Sequence, residues 1–432
     1  MKKLLLIAFA AILAFTVVGC SEETTAATET TTEEARTLVI SSSYVREVYE
    51  KEIYRDEIFD AFEEANNCTI ELNVYSETGA LFDKINTEQE ANEVVTDLLI
   101  AHYSDMVNYI DDNDYVVDLS DLQDEMDDRT FSDAFNASTN RGDSRYFFPI
   151  NTDLYLGIAA NDAFNHLPAG LTEADVLAGD YTWDDYVAWV GDGSEVMTAI
   201  KGMATSMLIY QVGGMALSHA TAAEVGSTFP GLNNNANKEA WSDILTMKLA
   251  GGIHAESSNI NDVSGLLQAG SIQLAFAHMN QISTVYTNAP AQFKVFPGPK
   301  GESGKAGTII GGHGIAVIEG SENEDLAKEF IKWITEPEQI VHASLGSVPP
   351  LAEAVDALGN TPAEQIVKMG IATINAANVE GLQMIPLYSE WGSVKGCSDT
   401  VFAAIMDGTV TTEAQLFALL DTQQAALEDL LV

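Results

Sequence analysis

Aromatic and polar side chains follow three predicted strands in the first part of the chain. The strand ends read Ser41-Ser42-Ser43-Tyr44, Tyr75-Ser76-Glu77 and His102-Tyr103-Ser104-Asp105. An aromatic ring offers a flat apolar face, and hydroxyl and carboxylate oxygens accept hydrogen bonds, so these residue types can hold a polar small molecule without reacting with it. We take Tyr44, Tyr103 and Asp105 as candidate binding residues. Asp105 has a second interpretation, because a carboxylate in the first turn of a helix also interacts favourably with the helix dipole.

Further candidates lie in the rest of the chain: Tyr155, His278, Asn280, His313 and Trp391. His278, Asn280 and His313 lie at the ends of predicted strands, and Tyr155 lies on a strand-like segment just beyond residue 150. Trp391 lies in a polar break before a predicted helix. The alternative for Trp391 is a place in the hydrophobic core, where large aromatic side chains are also common.

The sequence contains no intact motif for catalysis or metal binding. Residues 298–305, GPKGESGK, look like a phosphate-binding loop, but the leading Gly and the closing Ser or Thr of that motif fall on Pro299 and Ala306. No G-x-S-x-G, H-E-x-x-H or C-x-x-C motif occurs, and the acidic run at 111–114 lacks the spacing of a calcium-binding loop. We therefore expect no cofactor, no bound metal and no enzymatic activity.

The elements that would position the candidates alternate between strands and helices. Residues 37–42, 69–74 and 97–101 predict strands, and apolar residues recur at helical spacing over 47–66 and 80–91. This order indicates a parallel, doubly wound sheet, in which ligands bind beyond the carboxyl ends of the strands. A helix-rich stretch follows, in which Trp183 comes directly after the helix-capping residue Thr182 and is expected to be structural. A second set of strands is predicted at 272–277, 293–296 and 314–318.

Charge and hydrophobicity exclude several classes of protein. The 432 residues include 20 Lys and Arg against 65 Asp and Glu, a formal net charge of −45. The negative electrostatic field of such a chain repels phosphate backbones, so nucleic acid is excluded as a partner. An open site for anionic substrates is disfavoured for the same reason. Hydrophobic residues make up 46% of the chain, which is enough for a globular core.

The first residues have the pattern of a targeting signal. Two lysines precede an apolar run over residues 4–18, which is shorter than the roughly 20 residues that a membrane span needs. The run ends at Gly19-Cys20, and this ending resembles the lipobox of bacterial lipoproteins. The resemblance implies cleavage after residue 19 and lipidation of Cys20. Residues 20–36 are rich in Thr and Glu and are interpreted as a tether, so we expect the folded part outside the cytoplasm and anchored to the membrane through lipid.

Two further cysteines, Cys68 and Cys397, lie within the folded part. An exported chain could pair them in a disulfide, because disulfides persist in oxidising compartments. One bridge does not make a disulfide scaffold in a chain of this length, so we expect two buried free thiols.

Several segments, in order, resemble the extracellular solute-binding proteins of ABC importers, in the carbohydrate-type class that includes maltose-binding protein. The resemblance is carried by residues 146–161 (YFFPINTDLYLGIAAN), 182–186 (TWDDY), 267–276 (LQAGSIQLAF), 296–299 (FPGP), 311–314 (GGHG) and 327–334 (AKEFIKWI). Together these segments span most of residues 37–432.

This resemblance implies an α/β, two-lobed periplasmic-binding-protein fold of type II, each lobe a mostly parallel sheet flanked by helices. Mapped onto the chain, lobe one takes residues 37–150 and 309–345, and lobe two takes residues 151–308 and 346–432. The crossings between the lobes are expected near residues 150–153, 309–312 and 346–350. The ligand would bind in the cleft between the lobes and draw them together.

The implied function is capture of a sugar or oligosaccharide and delivery to the transmembrane subunits of an ABC permease, by a monomer. Trp391 follows the segment 385–387 (IPL) as in the family, where the aromatic ring stacks on sugar. Two alternatives remain open: a binding protein for a polyamine or another non-sugar solute, and a surface glycan hydrolase. A polyamine site would have two or more carboxylates in the cleft without Arg or Lys partners, and a hydrolase would need two carboxyl groups about 5–9 Å apart.

Overall fold

The computed structural model describes residues 35–132, 135–200, 207–301, 304–376, 382–384 and 391–430. The predicted signal peptide, Cys20, nearly all of the tether and the segment 385–387 lie outside the described residues. Among the described residues, no helix is long and apolar enough to cross a membrane.

Two sheets organise the folded chain. The strands are β1 (Arg36–Ser42), β2 (Cys68–Val74), β3 (Leu98–His102), β4 (Asn140–Arg141), β5 (Ser144–Arg145), β6 (Phe148–Asp153), β7 (Tyr155–Ala160), β8 (Leu274–His278), β9 (Phe293–Phe296), β10 (Thr308–Val317) and β11 (Leu382–Met384). The first sheet has the order β11-β10-β3-β1-β2, with β6 also paired to β10, and the second has the order β8-β7-β9. Strands β4 and β5 form a separate small hairpin.

The first sheet is built as the strand–helix–strand pattern predicts. Strand β1 lies parallel to β2, with Ile40 opposite Leu72, and parallel to β3, with Ile40 opposite Leu98. Strand β10 then runs antiparallel to both β3 and β6. The carboxyl ends of β1 and β3 therefore meet at one edge of the sheet, as expected for neighbouring parallel strands.

The second sheet differs from the expectation of a mostly parallel sheet. Strand β7 pairs antiparallel with both β8 and β9. The two-lobed α/β fold is confirmed, but the predicted strand direction in this lobe is wrong. More than a hundred residues separate β7 from β8, and a connection of this length can return the chain in either direction, so the strand pattern carried no information about direction.

Helices cover both sheets. They are α1 (Val48–Ile53), α2 (Asp60–Asn66), α3 (Thr78–Ala91), α4 (Tyr103–Asp112), α5 (Ser120–Asp124), α6 (Asn136–Thr139), α7 (Glu173–Ala178), α8 (Trp183–Val190), α9 (Leu208–His219), α10 (Val225–Thr228), α11 (Asn235–Ala250), α12 (Ser264–Gln268), α13 (Met279–Asn288), α14 (Glu324–Ile334), α15 (Pro337–Ala343), α16 (Pro362–Ala376), α17 (Trp391–Met406) and α18 (Glu413–Glu428). The helix predicted over 47–66 contains a π-helical stretch, Tyr54–Phe59, between α1 and α2.

Local sequence explains where α8 begins. The Thr182 side chain accepts a hydrogen bond from the Asp185 amide at 3.2 Å, and the Asp185 carboxylate accepts one from the Thr182 amide at 2.9 Å. This reciprocal capping box satisfies amides that the first turn of a helix leaves without partners. It places Trp183 at the first helical position, where its side chain is buried, as predicted for a structural residue.

The two remaining cysteines are free thiols, and both are buried, as the sequence analysis predicts. Cys68 packs with Leu38, Phe62 and other residues beneath the first sheet. Cys397 packs in a different cluster that includes Trp183 and Trp241. No disulfide is therefore needed to hold either cluster together.

The excess of acidic residues predicts a stability that depends on salt. Repulsion between like charges acts most strongly on the compact state, and the Debye length falls from about 30 Å at 0.01 M to about 8 Å at 0.15 M ionic strength. With a net charge of −45, we expect the melting temperature to rise as NaCl increases to about 1 M. The measurement uses ligand-free protein and chloride, because ligands and sulfate stabilise folded proteins by other routes. A flat or falling melting temperature would show that the acidic residues are not an adaptation to salt.

Candidate functional site

A cavity of about 440 Å³ lies where the ends of the two sheets meet the helices α4, α9 and α17. It is lined by His102, Ser104, Asp105, Asp153, Tyr155, Met207, Tyr210, His278, Ile309, Gly311, Gly312, His313 and Trp391. The lining residues come from both sheets, so a molecule in this cavity would contact both lobes at once.

Strand register brings the polar residues of the first sheet into one row. On β10, His313 lies opposite His102 of β3 on one side and opposite Asn151 of β6 on the other. The rings of His102 and His313 meet edge to face, with centroids 5.4 Å apart. In the second sheet, Tyr155 of β7 lies opposite His278 of β8, and their rings also meet edge to face at 5.6 Å. Each sheet thus contributes a histidine and a neighbouring polar or aromatic side chain.

The orientation of His313 is fixed by Asn151. The Asn151 Oδ1 atom accepts a hydrogen bond from the His313 amide at 2.7 Å and lies 3.2 Å from the ring atom Nδ1. Because a carbonyl oxygen can only accept, Nδ1 carries the ring proton and Nε2 is left as an acceptor. Burial and the nearby His102 hold the pKa of His313 well below its ordinary value, so the ring is neutral at neutral pH.

Aromatic side chains form the opposite wall. The Trp391 indole nitrogen donates a hydrogen bond to the Tyr210 hydroxyl at 2.9 Å, and their ring centroids are 6.2 Å apart. Phe229 meets the edge of the Trp391 ring at 6.1 Å. Tyr210 thus engages the polar edge of the indole and holds the ring in place in the cavity wall.

Two carboxylates give the cavity its charge. Asp105 and Asp153 line it, and no Lys or Arg belongs to the described lining residues. The His278 Nε2 atom lies 4.0 Å from the Asp153 carboxylate. Burial lowers the pKa of His102 against the opposing effect of Asp105 and Asp153, so this ring is neutral at neutral pH. The cavity therefore offers acceptor oxygens in a negative field.

The structure brings Asp105, Tyr155, His278, His313 and Trp391 together in the cavity lining. The other three predicted residues lie elsewhere. Tyr44 stacks on His313 from outside the lining at 4.0 Å, and Tyr103 is 2% exposed, with its hydroxyl donating to the Asn151 carbonyl. Asn280 is exposed on the first turn of α13. Tyr103 and Asn280 are the first and second residues of their helices, and helical geometry turns Tyr103 toward the core and Asn280 toward solvent.

Several lining residues were not predicted from the sequence: His102, Ser104, Asp153, Met207, Tyr210, Ile309, Gly311 and Gly312. His102 and Ser104 lie within the strand-end segment that provided Tyr103 and Asp105, so the signal was present. Gly312 allows the close approach of β6 to β10, because a β-carbon there would lie 2.2 Å from the Asn151 carbonyl oxygen. No sequence pattern marked Tyr210 as a lining residue, because almost every residue of α9 is buried.

Two α/β lobes with a cavity at their facing strand ends define a bilobal binding protein. The chain belongs to the family described as bacterial extracellular solute-binding protein, whose sequence profile matches residues 57–368. This membership places the protein outside the cytoplasm and among binding proteins. No curated protein sequence is similar enough to count as a match.

Solved structures of binding proteins share the fold at low sequence identity. The cyclic alpha-maltosyl-1,6-maltose binding protein from Arthrobacter globiformis is 16% identical, with a TM-score of 0.67 over 92% of this chain and 99% of that one. The sugar-binding protein MalE from Xanthomonas citri is 14% identical, with a TM-score of 0.67 over 91% of this chain and 97% of that one. The maltodextrin-binding protein MalE1 from L. casei BL23 is 15% identical, with a TM-score of 0.62 over 91% and 99%. At these identities, the likeness shows the fold.

Proposed function

We propose that this protein captures a sugar or oligosaccharide in the cavity and delivers it to the permease of an ABC importer. The observation that carries the proposal is the combination of an aromatic wall, formed by Trp391, Tyr210 and Tyr155, with hydrogen-bonding groups on the facing wall. A pyranose has the matching surfaces, an apolar face and a rim of hydroxyl groups. The relatives with this fold include proteins described as binding cyclic alpha-maltosyl-1,6-maltose, cycloalternan and maltose.

The mix of donors and acceptors favours a sugar over a polyamine. Asp105 and Asp153 meet the criterion set for a polyamine site, since no Lys or Arg accompanies them in the described lining. A polyammonium ion, however, has only donors, so it would serve the carboxylates of the cavity and offer no acceptor to its donor groups. A hydroxyl group both donates and accepts, so a polyol serves the carboxylates and the histidines together.

Lobe closure is the mechanism that we infer for capture. The chain passes directly from β6 in the first sheet to β7 in the second, and β10 begins beside the second lobe, where the Thr308 hydroxyl accepts a hydrogen bond from the Tyr155 amide at 3.0 Å. Motion at these crossings changes the separation of the cavity walls. A ligand that contacts both walls binds the closed state more tightly and shifts the population toward it.

We propose that lobe one consists of residues 37–150 and 309–345, and that lobe two consists of residues 151–308 and 346–432. The contacts of residues 346–357 change one of these bounds. Residues 346–357 contact the first lobe and the first crossing, since Leu351 pairs with Phe131, and Val348 pairs with Thr152, where β6 of the first sheet enters that crossing. The turn Glu353–Ala357 also packs on α15. We therefore place the third crossing after residue 357, and the short strand β11 then returns to pair with β10 at the edge of the first sheet. The proposal describes a monomer that meets the permease through surfaces of both lobes.

A thermal-shift panel tests the sugar assignment. The panel contains maltose, maltotetraose, putrescine and spermidine at equal ionic strength. We expect a sugar to raise the melting temperature, because a ligand at about 100 times its Kd stabilises the folded state by about 2.7 kcal/mol. Spermidine should give no shift beyond that of an equal ionic strength of NaCl. A shift with spermidine alone would replace the sugar by a polyamine as the proposed ligand.

We also propose that the mature chain is anchored to the membrane through lipid on Cys20. Replacing Cys20 with Ser removes the thiol that would carry the lipid, so we expect the variant to remain unprocessed or to be released from the membrane. Membrane fractionation and labelling with a radioactive fatty acid check this. Cys397→Ser is the matched control and should keep both the label and the membrane association. Equal lipid labelling of the Cys20→Ser variant and the wild type would exclude the anchor.

A further inference from the structure

The first sheet ends at β2, far from the cavity. This strand closes the order β11-β10-β3-β1-β2, and no strand among the described residues pairs with its outer side. The Tyr75 amide donates to the Ser42 carbonyl at 2.9 Å, and the parallel register with β1 continues this pattern back along the strand. Alternate residues of β2 therefore point their N–H and C=O groups away from β1: Cys68, Ile70, Leu72 and Val74. Such a row of backbone groups is a template on which another strand can pair.

The ion pair between Arg55 and Glu63 covers the outward groups of Ile70. The Ile70 amide donates to the Glu63 carboxylate at 2.5 Å, and the Arg55 guanidinium donates to the Ile70 carbonyl at 3.1 Å. The guanidinium and the carboxylate are 2.8 Å apart. Side chains therefore occupy both backbone groups of a residue near the middle of this edge.

The π-helical stretch Tyr54–Phe59 explains how these two residues come together. Arg55 lies in this stretch, and Glu63 lies in α2, which follows it directly. Their separation of 8 positions exceeds two turns of an α-helix, at about 3.6 residues each, by roughly one residue. A π turn, with its i→i+5 hydrogen bond, takes up about one residue more than an α turn. The π-helical stretch thus brings Arg55 and Glu63 to the same side of the helix, facing β2.

Stability is a weak explanation for this arrangement. The Arg55 side chain is 39% exposed, and ion pairs at such positions contribute little to the free energy of unfolding. Its guanidinium nevertheless lies 5.1 Å from the centre of the Phe59 ring and 3.4 Å from the Asp60 carboxylate, so it is held in one position beside the strand. What this fixed position achieves is the covering of the strand edge.

We propose that the Arg55–Glu63 pair keeps the protein monomeric by closing the edge of β2 to a second copy of this chain. This inference goes beyond the proposed function and does not depend on the ligand. It gives a role to the π-helical stretch, which aligns the two side chains. It also identifies the surface through which the chain would associate if the pair were absent.

A second copy is the matching occupant because β2 can pair with itself. A two-fold axis at Glu71 would run the two strands antiparallel and place Ile70 opposite Leu72 of the second copy. Cys68 would then lie opposite Val74 of the second copy, so each outward donor would meet an acceptor. Glu71 would face its own copy across the axis, and this like-charged pair opposes the same contact.

Removing the pair should allow this dimer to form. The background is Glu71→Thr, which abolishes the repulsion at the axis, and the triple variant adds Arg55→Ala and Glu63→Ala. We expect a dimer dissociation constant about 10- to 100-fold lower in the triple variant than in Glu71→Thr, because each copy regains two backbone hydrogen-bonding groups. Sedimentation equilibrium of ligand-free protein measures it at about 1 M NaCl, where the Debye length is about 3 Å and the net negative charge is screened.

Val74→Pro is the matched control for the surface. Proline at this outward position removes a donor to the second copy and leaves the hydrogen bonds to β1 in place, so adding it to the triple variant should restore the monomer. A triple variant that is folded but monomeric at about 1 mM protein, or a dimer that persists with Val74→Pro, would overturn the inference. Dimers of Glu71→Thr alone would also overturn it, since charge repulsion would then be the only barrier.

Hydrogen exchange tests the covering of Ile70 without association. In dilute protein the Ile70 amide should exchange at least about 10-fold faster in Glu63→Ala than in the wild type, because the carboxylate that accepts its hydrogen bond is lost. Glu63→Ala leaves Arg55 on the Ile70 carbonyl and provides a second variant if the triple variant does not fold. Equal exchange rates at Ile70 would show that Glu63 does not protect the edge and would contradict the proposal.

Discussion

Replacing Trp391 with Ala should weaken sugar binding by about 1–3 kcal/mol, or roughly 5- to 150-fold in Kd, while the protein stays folded. Trp391 is held in the cavity wall by its hydrogen bond to Tyr210 and its edge contact with Phe229. Truncation removes the indole ring from the cavity wall, and water would then occupy the space where the proposed sugar packs. Calorimetry with the panel sugar of largest thermal shift measures the loss.

Trp391→Phe separates the aromatic face from the indole nitrogen. Phe keeps a flat ring but cannot donate to the Tyr210 hydroxyl, so we expect an affinity between those of Trp391→Ala and the wild type. The melting temperatures of the ligand-free variants control for general damage, because Trp391 also packs against the buried cluster of the second lobe. Unchanged affinity in Trp391→Ala would remove this residue from the site.

The second large effect concerns stability. Trp183→Ala should lower the free energy of unfolding by about 3–5 kcal/mol, the range for removing a large buried aromatic side chain. Trp183 is 2% exposed, and its ring lies 5.3 Å from that of Phe276 and 5.2 Å from that of Tyr186. Its indole nitrogen donates to the Ser218 hydroxyl at 2.7 Å, so the substitution leaves both a void and a changed polar contact.

Urea unfolding of ligand-free protein measures this loss, because a bound ligand would add to the apparent stability. Trp183→Phe is the matched variant: it keeps most of the ring volume and should lose less than Trp183→Ala. The sugar affinity of the folded protein should not change in either variant, since Trp183 does not line the cavity. A loss below about 1 kcal/mol in Trp183→Ala would show that the cluster collapses around the void.

The sequence predicted those parts of the site that follow from strand ends. Tyr103 and Asp105 were candidates because the carboxyl ends of neighbouring parallel strands meet at one edge of a sheet, and His102 and Ser104 belong to the same strand-end segment. The pattern could not say which of these side chains point inward. Tyr103 turns into the core as the first residue of α4, while Asp105, two residues later, lines the cavity.

The sequence alone could not predict which side of a buried helix faces the cavity, or how distant strands pair. Tyr210 lies on α9, whose residues are nearly all buried, so no amphipathic pattern marks the side that meets the cavity. The antiparallel direction of β7 against β8 and β9 is set by long connections, and local alternation of side chains is the same for both directions. The row formed by Asn151, His313 and His102 likewise depends on register between distant strands.

The two buried thiols can report local opening of the structure in two separate parts of the molecule. Cys68 lies in the cluster beneath the first sheet and Cys397 in the cluster that contains Trp183. Burial raises the pKa of both thiols, so a disulfide reagent reacts with each only after the surrounding structure opens. The labelling rate at each cysteine would therefore record the opening free energy of one lobe independently of the other, with no residue added to the chain.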